Sequence, residues 1–217
     1  MSPMQEILNA ITMVFPTLLI GWNVWKGKCK NNVPMMVLFI GSAIHFPVAF
    51  TYHMNVALNK YKHRIDNHGR RLDQTVQLMV GTAYSYALSK SLMYTAFSGI
   101  VNSYGIWKIW NPKTSNDGKR WMTIMKSVIL YTAPILWHGK INQYMLAIGS
   151  FLVGGLCFIP QFNYVILKGY GHSLFHLILT YYAHILVEVL QGDCRVIAEY
   201  GRVLKTMCRH LQNMAES

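Results

Sequence analysis

The chain has 217 residues, 53% of them hydrophobic and 13% charged, with a formal net charge of +12. A soluble domain carries about 25% charged residues, so this balance, with a mean hydropathy of +0.24, excludes an ordinary soluble fold and points to a membrane protein. The basic excess does not imply nucleic acid: Lys and Arg lie between apolar stretches, as in loops that meet anionic headgroups, and no basic motif is interleaved with aromatics.

Taken in chain order, charge-free stretches run over 7–25, 31–59, 74–89, 91–107, 141–167 and 169–187, and a seventh, 121–139, is broken only by Lys126. A bilayer-spanning helix needs roughly 17–25 mainly apolar residues. The expected fold class is therefore all-α: a polytopic membrane protein with seven transmembrane helices. Residues 1–25 have no basic leader region and no small-residue cleavage site, with Glu6 as the one early charge, so this segment is expected to be a retained first span. The stretch 74–89 is short and polar, and needs neighbours to bury Gln74, Thr75 and Gln77. Turn signals fall at Asn67-His68-Gly69, Asn111-Pro112 and Asp117-Gly118.

These spans make one transmembrane domain over 1–191, with an amphipathic C-terminal tail over 192–217. In the tail Val196, Ile197, Tyr200, Val203, Leu204, Met207, Leu211 and Met214 recur at helical spacing. A helix lying on the membrane surface fits this pattern, and so does one packed on a loop or partner. The four cysteines, Cys29, Cys157, Cys194 and Cys208, have neither CxxC spacing nor a disulfide framework. With seven spans, ten Lys/Arg fall on the side of the N-terminus and nine on the other, a balance that sets no orientation.

Near the start of the last stretch stand His172 and His176. On a helix, residues four apart project from one face, one turn apart. Imidazoles in an apolar segment are costly unless something satisfies them. For one pair, packing or hydrogen bonding between helices is explanation enough.

The alternation of spans strengthens the case for a metal. His172 and His176 begin span seven, Asp73 opens span three and His53 lies near the end of span two, all on the side of the N-terminus. Three histidines and a carboxylate thus reach one membrane level from three helices. Three neutral imidazoles leave zinc one open position for water, as in catalytic sites, and zinc lowers the pKa of that water towards ~7. Asp73 suits the role of orienting the water or taking its proton, since a fourth protein ligand would close the site. His45 lies eight residues before His53, so about 12 Å deeper along a helix, and is expected to hydrogen-bond between helices. Glu188, four residues after His184, is expected to pair with it, and His63 and His68 belong to a solvated loop.

Together these residues resemble a known pattern. A histidine closing span two, an aspartate opening span three and HxxxH opening span seven resemble the CREST superfamily, which includes alkaline ceramidases, PAQR receptors, hemolysin III-type proteins and a myomaker-like branch. Phe50-Thr51-Tyr52-His53, Arg71-Leu72-Asp73 and Gly81-Thr82-Ala83-Tyr84 look most like hemolysin III and PAQR, and Gly171-His172-Ser173-Leu174-Phe175-His176 is similar to the span-seven motif of the whole group. The resemblance implies zinc on His53, His172 and His176, Asp73 contacting the bound water, and hydrolysis of a sphingolipid-like amide such as ceramide within the membrane. One departure bears on activity: the family serine four residues before the first histidine is replaced by Ala49. The two functions expected are a zinc-dependent lipid amide hydrolase and, favoured by Ala49, a non-catalytic receptor-like or membrane-remodelling protein with structural zinc. Diiron desaturases need several histidine boxes, and this chain has one.

Overall fold

Short polar residues set where the helices begin. Ser2 forms a capping box with Gln5: its hydroxyl accepts from the Gln5 N–H at 3.3 Å, and its own N–H donates to Gln5 Oε1 at 2.6 Å. Asn32, Asn67 and Ser91 each accept the N–H three residues on, at 3.2, 2.8 and 3.2 Å. Each such cap is worth about 1 kcal/mol.

The computed structural model describes residues 2–26, 32–61, 67–111 and 117–192, with the side chains of 117–119 left aside. All regular structure among the described residues is helical: α1 (Pro3–Thr12), α2 (Val14–Lys26), α3 (Val33–Ala57), α4 (His68–Ser89), α5 (Leu92–Trp110), α6 (Asp117–Thr132), α7 (Pro134–Trp137), α8 (Ile141–Leu156), a π-turn (Gln161–Ile166) and α9 (Gly171–Gly192). The expected tail helix, with Cys194 and Cys208, lies outside the described residues, as do Cys29 and His63.

Helix α4 is packed by α3, α5 and α6, while α1 and α2 lie along α3. The α3–α4 approach is close because Gly41 lacks a side chain; a Cβ there would meet the Tyr84 ring at 2.9 Å. Helix α9 is the most enclosed apolar rod. Half of its most apolar window is buried, against 28% for the two other long apolar helices. Tyr182, Ile185, Leu186, Val189 and Leu190 of α9 meet Leu38, Leu88, Val128, Ile135 and Phe151 in the main core.

Three helices are long and apolar enough to cross a membrane: Pro3–Lys26, in which α1 and α2 run on from one another, Val33–Ala57 and Gly171–Gly192. By length and hydropathy the count among the described residues is three, where charge-free stretches led to an expectation of seven. Lack of charge is not apolarity. Helix α4 has 22 residues but carries Arg70, Arg71, Asp73, Gln74 and Gln77, and α5 carries Ser98, Asn102 and Ser103. Helix α6 stops after 16 residues, just before Pro134, and α8 also has only 16.

Candidate metal centre

The end of α3 and the start of α9 meet at one end of the bundle, and three histidines meet there. Each of His53, His172 and His176 offers a ring nitrogen, and the three nitrogens lie within 4.8 Å of one another. Their rings stand edge to face, with centroids 4.8 Å (His53–His172), 5.6 Å (His53–His176) and 4.7 Å (His172–His176) apart. His53 and His176 are each 2% exposed, and His172 is half-buried.

Local chemistry explains why α9 starts where it does. Asn163 is buried, and its Oδ1 accepts the Gly171 N–H at 3.0 Å. Its backbone carbonyl accepts from the Gly169 N–H at 2.8 Å. Gly169 turns the chain at φ +86°, a left-handed value that glycine adopts without strain. A Cβ on Gly171 would run into the Cys157 carbonyl and the Asn163 side chain. From the other side, Gln5 of α1 donates its amide to the Lys168 carbonyl at 2.9 Å. The first turn of α9, with His172 in it, is thus tied on two sides.

Helix α1 also reaches the histidines. His53 Nδ1 lies 2.9 Å from Glu6 Oε2. Asn9 donates to the same oxygen at 3.3 Å, and Ser173 of α9 donates to Asn9 Oδ1 at 2.6 Å. His176 Nδ1 lies 2.9 Å from the Thr12 hydroxyl. That hydroxyl has one proton, which it gives to the Leu8 carbonyl at 2.8 Å or the Asn9 carbonyl at 3.1 Å. With that proton on either carbonyl, the hydroxyl can accept from His176 Nδ1–H. Because a carboxylate only accepts, Glu6 places the His53 proton on Nδ1 and its lone pair on Nε2, and the Thr12 contact suits the same tautomer of His176. His172 is held by ring contacts instead, edge-on to Phe158 with centroids 5.1 Å apart.

This donor set fits a metal ion. Tetrahedral zinc with Zn–N bonds of ~2.0–2.1 Å places its ligand nitrogens about 3.4 Å apart. The spread of up to 4.8 Å seen here is wider than that by little more than an ångström. Three imidazoles, without a thiolate or a carboxylate in the cluster, leave a coordination position open. A ligating histidine whose other N–H goes to a carboxylate or a polar oxygen is the usual outer arrangement of such sites.

Asp73 is outside this cluster. One of its oxygens is 2.9 Å from His45 Nε2 and the other accepts from Gln77 at 3.4 Å. His45 accordingly bonds between helices, and its partner is the carboxylate expected to serve the metal's water. Ala49, four residues before His53, is buried and brings no hydroxyl. Ser42 pairs with Thr17 at 2.6 Å, and Thr51 is exposed. His184 and Glu188 stand 3.3 Å apart, both about half exposed. His68 packs edge-on to Trp110, and Cys157 is buried.

Sequence reasoning missed the contribution of α1. In the sequence Glu6 reads only as an early charge, yet it is 5% exposed and bonded to His53. A signal was available: Glu6, Asn9 and Thr12 recur every third residue through an apolar helix, which places them along one face. Comparison of the chain with family models, with curated proteins and with solved structures finds no match.

Proposed function

We propose that the chain is a seven-helix integral membrane protein of the CREST type, that His53, His172 and His176 hold zinc, and that it hydrolyses a lipid amide of the sphingolipid class. The observation that carries this reading is the three-histidine cluster, whose ring nitrogens lie within 4.8 Å of one another. In this reading α1 with α2, which run on from one another, count as one span and α6 with α7 as another, which makes seven in all. Aromatic and basic residues at helix ends suit membrane interfaces. Lys26 lies over the Trp22 ring at 4.5 Å at the end of α2, and Lys108 over the Tyr104 ring at 4.4 Å at the end of α5.

Zinc would supply a water acidic enough to attack a carbonyl near neutral pH. The protein's own residues do the rest. The apolar walls of α3 and α9 admit an acyl chain, keeping the amide near the end of the bundle. Glu6 and Thr12 hold two of the imidazoles in the tautomer that offers Nε2. Asp73, held by His45 and Gln77, is the carboxylate assigned to accept and return a proton.

Ala49 and the His45–Asp73 pair favour a second reading, in which the same residues hold a structural zinc in a receptor-like or membrane-remodelling protein. Without the expected hydroxyl, and with Asp73 engaged elsewhere, the site binds a metal and lacks its acid–base partner. Ceramide turnover by the purified protein in detergent separates the two. The hydrolase reading predicts turnover that falls at least a hundredfold in Asp73→Asn and disappears on metal removal. Equal background rates in wild type and variant would leave the structural role.

A further inference from the structure

Helix α1 gives no ligand to the cluster, yet its Glu6 and Thr12 are in hydrogen-bond contact with two of the three histidines. Glu6 is the informative residue. A carboxylate 5% exposed on an apolar helix is costly unless charge and hydrogen bonds match it. Its partners are His53 Nδ1 at 2.9 Å and the Asn9 amide at 3.3 Å. Asn9 is fixed in turn by Ser173, three residues before His176 and one after His172. The chain Ser173–Asn9–Glu6–His53 therefore links both ligand-bearing helices through α1.

Two physical consequences follow. By accepting the Nδ1 proton, Glu6 leaves the lone pair of His53 on Nε2, fixes the ring plane and makes the ring a stronger base. Charge adds to this. A divalent ion on three neutral imidazoles leaves two positive charges in an apolar interior. Among the described residues Glu6 is the carboxylate bonded to a member of the ligand set, while Asp73 is paired with His45.

We propose that Glu6 is the positioning residue of the metal centre, orienting His53 and supplying counter-charge to a divalent ion, so that α1 sets the metal affinity of a site whose ligands lie on α3 and α9. The proposal rests on reading His53, His172 and His176 as a metal site.

The chain contains its own control. His184 and Glu188 form a second histidine–carboxylate pair, at 3.3 Å, in an exposed setting away from the cluster. The test is titration of the full chain in detergent with Co2+, followed by its visible absorption, and with Zn2+ in competition, for wild type, E6A, E6Q and E188A. E6A is expected to raise the dissociation constant 10- to 100-fold and to shift the Co2+ band. E6Q keeps an acceptor oxygen and loses the charge, so it falls between wild type and E6A; being nearly isosteric, it also serves if E6A fails to fold. E188A binds as wild type does. Wild-type affinity and an unshifted band in folded E6Q and E6A would overturn the proposal and leave the metal site standing. Failure of the wild type to bind either ion would overturn both.

Discussion

Thr12 and His45 show how single side chains divide the work around the cluster. The Thr12 hydroxyl lies 2.9 Å from His176 Nδ1 at a position 8% exposed. Thr12→Val keeps the shape and leaves a buried imidazole nitrogen without its partner, which costs about 1–3 kcal/mol. The expected result is a lower thermal midpoint and metal binding weakened several-fold, read by melting and by Co2+ titration. Wild-type values for both would show that Thr12 does not hold the ring. His45, bonded to Asp73 at 2.9 Å, belongs to a separate pair, so His45→Ala is expected to leave metal content unchanged, as measured by elemental analysis. At this scale the three histidines were legible, because HxxxH in an apolar run and a histidine at the end of an earlier span are visible as spacing. The actual partner of Asp73 was not. Pairing between helices depends on how far α3 and α4 interdigitate, which Gly41 and the Tyr84 ring decide, and no local pattern encodes that.

Among the elements, the start of α9 matters most, because its first two turns carry two of the three candidate ligands. It is held by Asn163, by the left-handed turn at Gly169 and by the close approach of the Cys157 carbonyl to Gly171. Gly171→Ala would force a methyl group against the Cys157 carbonyl, a backbone atom that cannot turn aside. The first turn must shift, taking His172 with it, and metal affinity is expected to fall more than tenfold. Gly149→Ala in α8, where nothing lies within 4 Å of the new methyl, is the matched control and is expected to be neutral or slightly stabilising. Equal metal affinity in the two variants would contradict this account of the α9 start. The helices themselves were readable from apolar runs and from caps such as Asn67. The role of α1 was harder to read, since its polar face has meaning only once α3 and α9 lie on either side of it.

For the whole molecule, the claim is that a bundle of mostly apolar helices brings the ends of α3 and α9 together around an ion. Apolar character was legible in composition, and among the described residues three helices have the length and hydropathy of a membrane span; α4 and α5 are uncharged over long stretches while still rich in Gln, Ser, Asn and Thr. Their polar groups are satisfied by neighbours, as in Ser85 to Ser98 at 2.6 Å and Asn102 to Thr82 at 2.9 Å, so their place depends on packing rather than on hydropathy. The most direct test of the claim is elemental analysis of the purified full chain, wild type beside the double variant His172→Ala, His176→Ala. The account predicts close to one zinc per chain in the wild type and loss of that metal in the variant, with the variant still extracted from membranes as a folded helical protein. No metal in the wild type, or undiminished zinc in the folded variant, would contradict it.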